Sequence, residues 1–260
     1  LRSMERLREV QLAGSSVTDE GLIGLAELKQ LNYIGFRRTR ITGAGLVHLT
    51  SLQKITSLEL YASKITDAGL AGIKEMDQLQ RLNLYETGIT DEGLVHLQGL
   101  QNLRTLNLAS TKVRGPGLVH LAMLPRLEEL QLGGMSLTDQ GLVHVGKMHS
   151  LVKLEFLGDT KMISDDGLVH LTHLTKLREL KLGYAGSPIT DAGIVHVANI
   201  KGLQRLDLSQ CKITDVGAAH LTKLKSLKYL NPHNSRITPA GKAKLEAALP
   251  EVYIFLDAEP

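Results

Sequence analysis

Ile65-Thr66-Asp67-Ala68-Gly69-Leu70 is a phrase that returns, lightly varied, along the whole chain. Its glycine falls at Gly21, Gly45, Gly69, Gly93, Gly117, Gly141, Gly167, Gly193, Gly217 and Gly241. The intervals are 24 residues, apart from two consecutive ones of 26. A fixed period of this size marks a repeat architecture, in which each unit buries its apolar face against its neighbours.

Each unit has three parts. A strand with Leu-x-x-Leu-x-Leu comes first, as in Leu79, Leu82 and Leu84, and its alternation turns leucines inward and the residues between them outward. A short turn follows, as in Ala109-Ser110-Thr111-Lys112. Thr-Asp then opens a helix, as in Thr90-Asp91-Glu92-Gly93-Leu94. Threonine is a good N-cap, and an acid in the first turn suits the positive end of the helix dipole. Leu94, Leu97 and Leu100 recur at helical spacing and return to the core. Glycine is a poor helix former, so its repetition points to close approach of backbone to backbone.

Some units depart from the pattern. Arg114-Gly115-Pro116-Gly117 lacks the threonine and Gly43 replaces the aspartate, so slightly frayed helices are expected there. Pro232 takes an inward slot and should spoil its strand. Residues Leu1 to Leu12 already fit the repeat, so the chain starts partway through a coil, as a fragment or a poorly capped product would. Gly241 to Leu249 reads as a helix and Val252 to Leu256 as a last edge strand. The expectation is one solenoid domain of about ten coils over residues 1–260, with residues 241–260 as a C-terminal cap.

Composition sets outer limits. Thirty basic and 27 acidic residues give a net charge of +3, which offers no global reason for nucleic-acid or anionic-membrane binding. The longest apolar runs are too short to span a bilayer. The single cysteine, Cys211, excludes an intramolecular disulfide and fits a reducing, cytoplasmic setting, although a secreted protein can also lack disulfides.

The signature Leu-x-x-Leu-x-Leu-x-x-Thr/Asn/Cys-x-Ile-Thr-Asp-x-Gly-Leu resembles the leucine-rich repeat family, in the helix-containing variant of ribonuclease inhibitor, F-box adaptors and many bacterial repeat proteins. The resemblance implies an α/β fold, a right-handed solenoid curved as a horseshoe. Its parallel sheet lines the concave face and short α-helices the convex face. Members of the family usually bind other proteins through the concave face and the adjoining rim loops.

Several residues invite chemistry. His48, His96, His120, His144, His170, His196 and His220 all sit three residues after the repeat glycine and could form a metal or pH ladder. Gly24 and Gly72 fill that slot in other coils, so a shared slot on the helix flank explains the histidines as well. Cys211 could be a nucleophile. It also occupies the turn slot of Thr39, Ser63, Thr87, Thr111 and Ser235, where small polar residues would bond turn to turn. No zincin helix, nucleophile elbow, phosphate loop or dinucleotide fingerprint occurs, so no enzyme, cofactor, metal or small-molecule substrate is expected. Arg37-Arg38-Thr39-Arg40 is the densest basic spot, but a nucleic-acid groove would repeat such charge over several coils.

Outward strand positions are more informative. In the C-terminal half Lys153-Glu179-Arg205 and Glu155-Lys181-Asp207 alternate in sign and would satisfy one another across the strands. In the N-terminal half Tyr33, Arg37, Glu59, Tyr61, Arg81, Asn83, Tyr85 and Asn107 cluster, and tyrosine and arginine are types enriched at binding hot spots. Tyrosine also simply favours strands. The two 26-residue intervals lengthen adjacent connections and form a second candidate, a rim lip with Leu157, Asp159, Lys161 and Tyr184. The function expected is a protein- or peptide-binding module using the N-terminal half of the sheet. The alternative is a scaffolding segment of a larger protein with an inert surface.

Overall fold

The structure is a computed structural model, and it describes residues 4, 6–134, 137–158, 161–184 and 186–255. The chain divides into two compact units, residues 1–130 and 131–260. Each is a run of one kind of coil.

In the first unit the strands are β1 (Glu9–Gln11), β2 (Tyr33–Gly35), β3 (Ser57–Glu59), β4 (Arg81–Asn83) and β5 (Thr105–Asn107). They pair in parallel in chain order, with Glu9, Tyr33, Ser57, Arg81 and Thr105 in one row. Strand β6 (Glu129–Leu132) follows. In the second unit β7 (Lys153–Phe156), β8 (Glu179–Lys181), β9 (Arg205–Asp207), β10 (Tyr229–Asn231) and β11 (Tyr253–Ile254) pair in the same way. Their middle leucines point inward: Leu58, Leu106, Leu154 and Leu206 are fully buried. A register slip of one residue would turn every one of them to solvent, so the leucine pattern fixes the pairing. Met4, by contrast, is 51% exposed although it occupies a core slot of the repeat.

The return segments are short helices. Asp139–Val145, Asp191–Val197, Asp215–Leu221 and Pro239–Ala248 are α-helical. Asp19–Leu25, Ala44–Leu49, Asp91–Leu97, Pro116–Leu121 and Asp166–His173 instead close as 3-10 helices, a departure from the α-helices expected. Segments of about two turns gain little from the α form, and the longer 3-10 rise covers the coil with the same residues.

The Thr-Asp pair does more than cap its own helix. Asp19 Oδ1 accepts from the amides of Gly43 and Gly45, and its Oδ2 accepts from the Thr42 amide and hydroxyl, all one coil further on. Asp67 holds Thr90 in the same way, with amide and hydroxyl at 2.8 and 2.6 Å. In the second unit Asp139 holds Ser164, Asp191 holds Thr214, and Asp215 holds Thr238. Each aspartate therefore satisfies orphan amides at the start of the next helix. The fraying expected at Gly43 and Arg114 amounts to one residue: helices Ala44–Leu49 and Pro116–Leu121 start one position later in the repeat than Asp91–Leu97, and Asp19 and Asp91 bond their leading amides. Where Gly43 leaves no carboxylate, the Thr66 amide turns to the Thr42 carbonyl at 3.1 Å.

Pro232 does not spoil its strand either. It follows the last residue of β10, which keeps three residues, and the Asn231 carbonyl still accepts from the Leu208 amide at 2.8 Å.

Candidate binding surface

The turn after each strand sets the side chains on the sheet face. Its second residue is left-handed in coil after coil, at Arg38, Ala62, Glu86 and Ser110 in the first unit. The next residue closes the turn: Thr39, Thr87 and Thr111 donate their hydroxyls to the carbonyls three residues earlier. These hydroxyls serve their own turn, which corrects the turn-to-turn bonding expected. Cys211 is the exception, its sulfur 3.5 Å from the Ser187 hydroxyl of the preceding coil. It is 1% exposed, and burial pushes its thiol up to about 11. A thiol in that state is a poor nucleophile.

The turn geometry holds Arg37, Tyr61 and Tyr85 side by side, one slot beyond the ends of β2, β3 and β4. The two rings lie 5.0 Å apart at a 58° tilt. Arg37 sits 5.1 Å and Arg38 5.8 Å from the Tyr61 ring centre, and Arg38 Nη2 donates to Tyr61 Oη at 3.5 Å. Cations over an aromatic face are attracted by its quadrupole. Tyr33 lies down along its own strand, its hydroxyl 3.2 Å from where a Gly35 side chain would begin. A shallow depression of about 330 Å³ opens here, floored by Gly35 and Glu59 and walled by Tyr33, Arg37 and Tyr61.

Two further groups have local duties. Asn83 Nδ2 donates to Glu59 at 2.7 Å while its Oδ1 accepts from the Tyr85 amide. Asn107 likewise accepts from the Ala109 amide, so both asparagines stiffen the strand ends. Burial raises the Glu59 carboxyl above its ordinary value, against the lowering effect of Asn83, Arg81 and Arg37. Tyr33 is raised too, by burial and then by Glu59 and Glu9. The three rings are half-buried, less open than an outward slot alone implies.

At the other candidate, the lengthened connections, Leu157 is half-buried and its amide donates to the Leu132 carbonyl at 2.7 Å. Lys161 lies against Gly186, its Cε 3.1 Å from where a side chain there would start. Tyr184 is 41% exposed, and Asp159 lies outside the described residues.

The charges of the second unit are partly paired. Lys153 meets Glu155 at 3.3 Å and Glu179 meets Arg205 at 4.0 Å, while Lys181 makes no ion pair among the described residues. A cluster that the sequence reasoning missed lies beside them. Arg205 stands 4.4 Å over the Tyr229 ring, which stacks on Tyr253 at 5.8 Å. Tyr253 continues the row of Arg205 and Tyr229 at the same 24-residue spacing, and that was the available signal.

The histidines stand in the last turns of their helices, and His144 has a buried Nδ1 with no hydrogen-bond partner. Burial, with Lys147 nearby, lowers its pKa. Among the described residues no three His, Cys, Asp or Glu side chains are grouped to hold a metal ion, and no helix is long and apolar enough to cross a membrane.

Coils of strand, turn and short helix, stacked in parallel by an inward leucine row, define a class. A family model described as Leucine Rich repeat matches residues 99–122 and 203–221. Among solved structures, a leucine-rich-repeat protein of Leptospira interrogans is similar at 19% identity and a TM-score of 0.58, covering 98% of this chain and 74% of its own. A TDR receptor is similar at 16% identity and a TM-score of 0.52, over 96% of this chain and 46% of that one. The PEPR1–AtPEP1 complex gives 17% identity and 0.51, over 93% and 37%. No curated protein matches in sequence. The fold is that of a leucine-rich-repeat solenoid, and two of its coils match that family in sequence.

Proposed function

We propose that this protein is a protein- or peptide-binding module that works through the sheet face of β2 to β4. The observation that supports it is the group Arg37, Tyr61 and Tyr85, two rings at 5.0 Å under a guanidinium at 5.1 Å, beside an open depression. Rigid aromatic rings with a stacked arginine supply contact area at small entropic cost, which is why these types dominate hot spots. The paired charges Lys153–Glu155 and Glu179–Arg205 support a quieter surface on the second unit. An inert scaffold would extend that quietness to the first unit.

The two readings part in an affinity capture from native lysate, run with wild type, with Tyr61→Ala/Tyr85→Ala, and with Lys181→Ala. The binding module loses its principal partner in the tyrosine variant alone. Identical capture by all three favours the scaffold.

A further inference from the structure

The charge on this face says more about the partner, on the premise that the face is a binding surface as proposed above. Among the described residues Arg37, Arg38, Arg40 and Arg81 make no ion pair. Two of them are nevertheless held in position, since Arg37 and Arg38 both lean on Tyr61. A guanidinium against a ring keeps most of its planar fork of donors for carboxylate oxygens, Arg38 giving only Nη2 to Tyr61 Oη, and the contact removes much of the entropy lost on binding. Two acids answer them on this face: Glu59, which faces the depression but is half-buried and occupied by Asn83 at 2.7 Å, and Glu9, which acts on Tyr33 at its edge. They offset part of the field of the four arginines, and none of the four has a carboxylate at ion-pair distance among the described residues. The second unit shows the contrast, because there Arg205 and Lys153 already have carboxylates at 4.0 and 3.3 Å.

We infer that the face of β2 to β4 takes an acidic segment of a partner protein, extended across the strands, with its carboxylates on Arg37, Arg38 and Arg81. The register gives the spacing. Tyr33 pairs with Ser57 and Ser57 with Arg81, so Arg37 stands two strands away from Arg81 and four residues further along. That separates their Cα atoms by roughly 16 Å, about five residues of extended chain. Arginine side chains are long enough to shorten that span, so the segment carries two acidic residues about three to five positions apart. The residue between them meets the depression floored by Gly35.

The test is a selection of random short peptides displayed on phage against the full chain, followed by synthesis of the best sequence. The selected set should be rich in Asp and Glu at that spacing. The Kd of the synthetic peptide should rise about tenfold or more in Arg37→Gln and, separately, in Arg81→Gln. Replacing its acids by amides should have the same effect. Both arginines are exposed, so melting should not change, and the two variants check each other. Peptides without acidic bias, weakened by Tyr61→Ala/Tyr85→Ala but not by the arginine variants, overturn this inference and leave the binding surface standing. Failure to select any peptide overturns both. A single-stranded RNA that displaces the peptide more strongly than poly-L-glutamate overturns the assignment to a protein partner.

Discussion

The Asp67 carboxylate lies where a side chain on Gly93 would have to go: a Cβ built on Gly93 would sit 2.3 Å from Asp67 Oδ1. That same oxygen accepts the Thr90 amide at 2.8 Å. Glycine and aspartate are thus two halves of one joint between successive coils. The joint recurs in the second unit, where Gly193 and Gly217 would meet Asp165 and Asp191 at 2.4 and 2.3 Å.

The joint reverses an ordinary rule. Glycine to alanine inside an exposed helix normally stabilises by about 0.5–1 kcal/mol. Gly24 lies in a helix with nothing within 4 Å of a new Cβ, so Gly24→Ala should follow that rule. Gly93→Ala should instead lower stability by about 1–3 kcal/mol, because it must displace a hydrogen-bonded carboxylate. Chemical denaturation of the two variants measures both signs, and equal signs would break the argument.

Acid should act on the same joint. The Asp19 carboxyl is held below its ordinary 3.8: burial pushes upward, but the amides of Gly45, Thr42 and Gly43 and the Thr42 hydroxyl outweigh it. Asp215 is lowered as well, first by the Thr238 hydroxyl and then by its amide. A depressed carboxylate contributes stability above its unfolded pKa and loses it as pH falls through the folded one. Glu59, raised by burial, has the opposite sign above its ordinary 4.5. Stability should therefore hold near neutrality and fall below about pH 4. Asp19→Asn should cost about 1 kcal/mol at neutral pH and flatten the acid limb, since the carboxylate is partly in solvent. An unchanged acid limb would remove Asp19 from the account.

The period and the leucine slots were enough to read the fold, because a strand period of 2 admits no slip once one face is buried. They also yielded the rows that bring Arg37, Tyr61 and Tyr85 together. The aspartate joint was not legible. A carboxylate that bonds amides 23 residues away leaves no local mark, and Asp19 at a helix start already had a sufficient reading in the dipole. Pro232 misled for a related reason: the leucine pattern runs one residue past the strand that actually pairs. Nor could residue types show that Tyr33 folds down over Gly35.

Backbone strain is stored in the turns. Ala62 adopts φ 53° while its amide donates to the Tyr85 carbonyl at 2.9 Å. A left-handed alanine costs about 1–2 kcal/mol, and glycine returns part of that through its freer unfolded state. Ala62→Gly should raise stability by about 0.5–1 kcal/mol. A lowered denaturation midpoint would argue that the Ala62 side chain has a packing role.

Cys211 reports on opening of the coil around it. With a thiol at about 11 and 1% exposure, it should resist iodoacetamide at neutral pH and react fully once the chain is denatured. Rapid labelling of the native protein would mean that the coil opens readily.

The tyrosine pair separates binding from folding. Tyr61 and Tyr85 are half-buried and touch at 5.0 Å, so removing both rings costs the aromatic pair, about 1 kcal/mol, and no core slot. Leu84, the residue before Tyr85, is a fully buried core residue, and Leu84→Ala should cost roughly 2–5 kcal/mol through lost contact and a cavity. Truncating hot-spot residues typically costs about 2 kcal/mol or more of binding, near thirtyfold in affinity. Tyr61→Ala/Tyr85→Ala should then melt within a few degrees of wild type while partner binding collapses. Leu84→Ala should melt far earlier and still bind at low temperature, where it remains folded. A double variant that melts as early as Leu84→Ala would make the rings structural. One that neither melts early nor loses its partner would return the face of β2 to β4 to an inert scaffold.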